Sequence, residues 1–162
     1  MIGLRKRSAG FVLKRLDPSH PAFPALVEES RQEGFWMLVR LADGWTQGRN
    51  RFARRGETLL AAWRGEELAG VCGLNVDPYV EQRREGRVRH LYVRAACRRS
   101  GAGRLLVGAV VEKACIHFPV LNVRATEEAF AFYEALGFRR VDSESATHRL
   151  ELVRPSRTRR GG

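Results

Sequence analysis

"VRHLYVRAACRRSGAGRLLVGAVVEKACIHF", residues 88–118, holds the stretch on which the fold turns. Its opening, "RVRHLYV" with Arg87, reads as a strand rich in β-branched and aromatic residues. After "RAACRRSGAG", the apolar positions Leu105, Leu106, Ala109, Val110 and Ile116 recur at helical spacing, so a helix is predicted from Arg104 to Phe118 despite Gly108. "VLNVRA" then reads as a second strand. A strand, a crossover helix and a strand lie in one sheet only as parallel neighbours with a right-handed connection.

Working outward, the other elements point to antiparallel pairing. Upstream, "TLLAAW" and "ELAGVCGLNV" are strand-like runs separated by "RGE", a short glycine-containing connection that signals a hairpin. Before them, "GFVLKRLD" reads as a strand broken at Asp17-Pro18-Ser19. A helix from Pro21 to Glu33 follows, stopped at Gly34, and a second runs from about Phe35 to Ala42. "DGWTQGRNRFARRGE" has no period and reads as a long loop, and long loops inside compact domains are often functional. Downstream, Thr126 is a good N-cap for a short helix over "EEAFAFYEAL", which Gly137 ends; "FRRVDS" and "THRLELV" form the last predicted antiparallel pair. The predicted sheet is therefore mixed, with no internal repeat and no domain boundary.

With 162 residues, 44% of them hydrophobic, the chain suits one domain, placed at residues 1–153, followed by a basic tail at 154–162. No run of eighteen apolar residues is present and "MIGLRKRSAG" has no cleavage pattern, so the expectation is a cytoplasmic protein with no membrane partner. Three scattered cysteines, Cys72, Cys97 and Cys115, indicate neither a disulfide framework nor a metal site. The net charge of +11 invites a nucleic-acid partner. Its make-up disfavours one: 26 of the 29 basic residues are arginine, an imbalance that codon bias produces as readily as selection, and four of them sit in "RPSRTRRGG".

The glycine loop at the start of the strongest helix has the features of an anion site. The first amides of a helix lack internal partners, the helix dipole adds positive potential, and glycine lets the backbone come close. A Walker A loop would need GxxxxGK[ST], which is absent. A dinucleotide fingerprint would need glycine or alanine where Leu106 stands.

Arg98-Arg99-Ser100-Gly101-Ala102-Gly103 resembles the acyl-CoA loop R/Q-x-x-G-x-G/A of the GCN5-related N-acetyltransferase (GNAT) family. "AFAFYEALGF" is similar to that family's second cofactor element, A-x-x-x-Y-x-x-x-GF, through Ala129, Tyr133, Gly137 and Phe138. The order of elements agrees as well, over roughly residues 10 to 153. The resemblance implies a GNAT-type α/β fold: a mixed, mostly antiparallel sheet of six to seven strands flanked by about four helices. It also implies acetyl-CoA as co-substrate, with pantetheine in a cleft where the "LYV" strand splays from its parallel neighbour. Backbone groups of Leu91, Tyr92 and Val93 would line it, the loop amides from Arg99 to Arg104 would take the pyrophosphate, and the loop arginines, Arg98 among them, would add charge. Thr126 stands where the family often has asparagine, beside Ala129.

For the chemistry, the resemblance implies direct attack of an amine on the thioester, with Tyr133 as the acid for the departing thiolate. The base is open: His90 stands on the strand where many members carry glutamate, and Asp77, Glu81 and Glu85 precede it. Trp36, Trp45, Asn75 and Tyr79 are candidate walls for a small-molecule or peptide amine, which the basic surface would favour as neutral or acidic. No metal is implied, and a homodimer is compatible with the pattern. Two other classes stay open: a nucleic-acid-associated basic protein, and an acyl-CoA-binding sensor with little catalysis.

Overall fold

The computed structural model describes residues 7–8, 10–81 and 83–155. Its strands are β1 (Arg7–Ser8), β2 (Phe11–Arg15), β3 (Thr58–Arg64), β4 (Glu67–Val76), β5 (Gly86–Val93), β6 (Val120–Val123), β7 (Arg139–Arg140) and β8 (His148–Glu151). The helices are α1 (Phe23–Gln32), α2 (Met37–Thr46), α3 (Ala102–His117) and α4 (Phe130–Ala135). The strands form one sheet in the order β1-β2-β3-β4-β5-β6-β8-β7. Only β5 and β6 run parallel, and α3 connects them, as the crossover rule requires. The expected mixed, mostly antiparallel sheet and four helices are found. The strand count is eight because the two-residue strand β1 precedes β2.

Helices cover both faces, so the central strands carry near-continuous apolar runs in place of alternation. Residues 68 to 76 of β4 are buried throughout. On one face, Leu106, Val107, Val110 and Ala114 of α3 pack with Leu74, Val88, Phe118 and Leu121. On the other, Phe23 and Leu26 of α1 and Leu38 and Leu41 of α2 pack on Leu59, Val71 and Tyr92. Each large side chain so buried contributes roughly 2 kcal/mol.

Three local expectations are corrected. Helix α2 continues through Asp43 and Gly44 to Thr46, so the long loop begins only at Gln47; Gly44 is buried inside the helix, where packing outweighs its low propensity. Residues 127–129 form a 3-10 turn ahead of α4, and Thr126 makes no side-chain capping bond there. Strand β8 pairs along its length with β6, and β7 adds only two residues at the edge. Of the predicted tail, residues 156–162 lie outside the described residues.

Candidate active site

The site originates in a ladder that stops early. Strand β5 pairs with β6 only from Gly86 with Leu121 to Val88 with Val123. Beyond Val88, β5 continues to Val93, while β6 ends and the chain turns away into residues 124–129. On its other edge β5 bulges against β4: Val71 pairs with Tyr92 and Gly73 with Arg89, leaving His90 and Leu91 opposite the single residue Cys72. A bulge of this kind bends the strand and increases its twist, and here His90 takes a φ of 59°. The result is a cleft of about 640 Å³ between the end of β5, the start of α3 and α4, within the size range of sites for small molecules and cofactors.

The glycine loop forms the mouth of that cleft. Backbone bonding in the loop ends with the Arg98 amide donating to the Ala95 carbonyl and resumes with the Leu105 amide donating to Gly101. Between them the six amides of residues 99–104 have no backbone partner among the described residues. Gly101 caps α3 at a φ of 88°, and Arg99 also has positive φ, 60°. This left-handed pair turns the chain into the helix. Gly103 follows within the first turn, where an added Cβ would meet only ordinary contacts, 3.6 Å from Phe132 and 3.7 Å from Val93.

Nearly all the residues expected at the cofactor site border this cleft: Leu91, Tyr92, Val93, Arg98, Arg99, Gly101, Gly103, Arg104, Thr126 and Ala129. Ser100 and Ala102 do not. The Ser100 hydroxyl donates to the Cys97 carbonyl, and Ala102 is buried in the core. The side chains of Tyr92 and Arg98 also have other work. Tyr92 is buried, and its hydroxyl donates to Glu29 and Glu33 of the α1 end. Arg98 donates to both carboxylate oxygens of Glu33, at 2.6 and 2.8 Å, and through Nε to the Val93 carbonyl at 3.1 Å. Its guanidinium therefore braces the loop against α1 and is already occupied by a carboxylate, leaving Arg99 and Arg104 as the exposed loop cations.

Tyr133 reaches the cleft from α4. Its ring is buried, packed edge-on against Phe132 and Phe138, and its hydroxyl has no hydrogen-bond partner among the described residues. Burial, with the nearby Cys72 thiol adding to it, raises the phenol above its ordinary value; Tyr133 stays protonated at any physiological pH. Cys72 itself is pushed up to about 12 by burial and is inert as a nucleophile. His90 also lines the cleft, with Nδ1 3.1 Å from the Met37 carbonyl oxygen. A carbonyl only accepts, so Nδ1 carries the proton and Nε2 keeps its lone pair. Burial, and then the charge of Arg89, pulls His90 down to about 4.

The other candidate bases lie elsewhere. Asp77 is buried against Arg87 at 3.3 Å and Asn122 at 3.0 Å; Glu85 accepts from Asn122 at 2.7 Å. Neither these two nor Glu81 borders the cleft. Among the expected acceptor walls, Asn75 lines a neighbouring pocket and Tyr79 a third one. Trp36 and Trp45 border none of the three. In their place Phe35 and Met37, at the junction of α1 and α2, face the cleft, along with Phe132 and Arg89. "FAFYEAL" displayed Phe132 beside Tyr133; nothing in sequence marked Phe35 over Trp36.

Residues 29–154 match the acetyltransferase (GNAT) domain family. The chain belongs to that family and is an acetyltransferase by class. Its fold is shared with a protein of Exiguobacterium sp. 255-15 assigned as an acetyltransferase, at 27% identity and a TM-score of 0.78, over 87% of this chain and 93% of that one. It is similar also to yncA of Salmonella typhimurium, whose structure holds its cofactor acetyl-CoA: 13% identity, TM-score 0.66, over 94% and 99% of the two chains. A mutant of the toxin AtaT, bound to the C-terminus of the antitoxin AtaR and acetyl-CoA, matches at 14% identity and a TM-score of 0.66, over 87% and 92%. No curated protein matches the sequence. Among the described residues, no helix is long and apolar enough to cross a membrane.

Proposed function

We propose that this chain transfers an acetyl group from acetyl-CoA to the nitrogen of a small-molecule or peptide amine, by direct attack in a complex that holds both substrates. The observation that carries this reading is the row of amides at residues 99–104, without backbone partners, at the mouth of the cleft where β5 leaves β6. Six amides without backbone partners beside a helix N-terminus fit a pyrophosphate. The free edge of β5 at Leu91 and Val93 fits an extended amide chain that pairs as a strand would. The Val93 carbonyl keeps one lone pair for it, since Arg98 Nε takes the other. Acetyl-CoA supplies the thioester.

In the transfer a nitrogen–carbon bond forms, the carbon–sulfur bond breaks, the nitrogen gives up a proton and the sulfur leaves as thiolate. Tyr133 is the group that donates to that sulfur. Its raised pKa makes it a weak acid but keeps its proton in place to stabilise the leaving charge as it develops. His90 offers Nε2 as the acceptor of the proton from nitrogen, with Nδ1 tethered to Met37 so that the ring is fixed in one tautomer. His90 is a weak base, so it receives the proton only once the nitrogen has become acidic through attack.

The test has two stages. Acetyl-CoA at a hundred times its Kd should stabilise the folded chain by about 2.7 kcal/mol, and a panel of amines should release free CoA thiol in its presence. Absence of stabilisation at millimolar acetyl-CoA would sink the proposal. Stabilisation with no thiol release from any amine would leave a binding protein without catalysis.

A further inference from the structure

We propose that Arg89 anchors a carboxylate on the acceptor, so that the preferred substrate is a small amine that also carries a carboxylate; this rests on the acetyl-transfer reading above. Arg89 is the residue that borders both the acyl cleft and a second pocket of about 380 Å³ lying beside it. That second pocket is walled by the segment from Gly48 to Arg54 and by the end of β4 at Asn75, Val76 and Pro78. An acceptor spanning the two would therefore have its amine on the cleft side and its remaining groups against these walls.

The charge of the walls selects what those groups are. Arg49, Arg51, Arg54 and Arg89 line the pocket against one acid, Glu57. Glu57 is already engaged: one oxygen accepts from Asn75 Nδ2 at 2.8 Å and the Val76 amide at 3.0 Å, and the other from the Arg54 amide at 3.0 Å. Asp77, directly after β4, is paired with Arg87 and Asn122. The Arg89 side chain forms no ion pair and no hydrogen bond among the described residues, although it is half-buried. Burial lowers its pKa from the ordinary value; Tyr79 opposes that, Arg87 adds to it, and Asp77 and Glu57 oppose it further. A guanidinium stays charged under such conditions, and a desolvated charge without a partner is costly. A bound carboxylate would relieve that cost through a two-pronged, charge-assisted contact.

The pocket is also rigid. Asn50 and Asn75 exchange amide hydrogen bonds at 3.0 Å in both directions, and Asn50 also caps the Phe52 amide at 3.1 Å. The long loop is thereby pinned to β4, and the anion site stands formed before any acceptor arrives, the condition under which such contacts discriminate best.

The experiment compares free amino acids of several chain lengths, each beside its own carboxamide, in the thiol-release assay with wild type, Arg89→Ala and Arg89→Lys. Wild type should favour each productive acid over its amide by roughly ten- to a hundredfold in kcat/KM. Arg89→Ala should bring the acid down to the level of the amide, and Arg89→Lys should restore part of the preference. Amides that match acids in wild type, or a preference that survives Arg89→Ala, would overturn the assignment, and the wild-type comparison decides even where a variant fails to fold. Calorimetric titration of the same acids into wild type and Arg89→Ala without acetyl-CoA separates the two proposals. Acids that bind wild type alone uphold the pocket even if acetyl-CoA does not bind, whereas acetyl-CoA binding with no acid bound or turned over overturns it.

Discussion

Arg98 and Glu33 meet in a two-pronged ion pair, Nη2 and Nη1 lying 2.6 and 2.8 Å from the two carboxylate oxygens. Arg98 first, and then the Tyr92 hydroxyl, holds the Glu33 carboxyl below its usual range. The pair is partly open to solvent, with side-chain exposures of 41% and 29%, so its worth is roughly 1 kcal/mol or less. Arg98→Ala should therefore cost a little stability, couple with Glu33→Gln in a double-mutant cycle, and change acetyl-CoA affinity only a few-fold. A hundredfold loss of acetyl-CoA affinity in Arg98→Ala, with Glu33→Gln unaffected, would return Arg98 to the phosphate.

Tyr133→Phe should lower kcat by roughly ten- to a thousandfold, near the usual range for loss of an acid catalyst. Stability should stay almost unchanged, because the ring packing with Phe132 and Phe138 is retained and the hydroxyl gives up no protein partner. Steady-state kinetics with a productive amine, beside a thermal melt, reads both. An unaltered kcat would remove Tyr133 from the reaction.

The fold was legible in sequence because its decisive parts are local: the strand, glycine loop and helix of residues 88–118, and the hairpin at Arg64–Glu67. The cleft residues on β5 and the loop were legible too, since one short segment carries them. What escaped were contacts across long separations. Glu33 and Arg98 are 65 residues apart, and no local pattern assigns an arginine to a carboxylate in place of a phosphate. Asn50 and Asn75 lie 25 apart, so the long loop read as free when it is fastened to β4. Arg89 looked like any other arginine of a basic chain; only its burial and lack of a partner set it apart.

Gly101 and Gly103 look equivalent in the motif and should behave differently. Gly101 sits at a φ of 88°, where a β-branched residue is strained whatever space surrounds it, so Gly101→Val should cost on the order of 2 kcal/mol of stability along with acetyl-CoA binding. Gly103 is helical with ordinary room for a Cβ, so Gly103→Val should fold as wild type. Its branched side chain would still stand among the loop amides and exclude the pyrophosphate. Thermal unfolding with and without acetyl-CoA separates the two effects. Full acetyl-CoA stabilisation of Gly103→Val would move the phosphate site elsewhere.

His90 predicts the response to acid. Its imidazole takes up a proton only near pH 4 in the folded chain, against about 6.5 when unfolded. Between those values the unfolded chain binds more protons, so the stability tied to neutral His90 is complete above about pH 6.5 and is lost as pH falls through 4. The loss should be on the order of 2 kcal/mol once solvent screening is allowed for. His90→Asn, which tolerates the positive φ, should flatten that part of a urea-unfolding series run from pH 7 to pH 4. In catalysis the same depression means that His90 is already deprotonated throughout pH 5 to 8. The rise of kcat/KM with pH over that range should follow the ammonium pKa of the chosen acceptor, moving when a less basic amine is substituted. His90→Asn should lower the whole profile by roughly tenfold or more without shifting it; a limb near pH 6.5 that vanishes in the variant would show that His90 titrates in the exposed range and is not held neutral by the cleft.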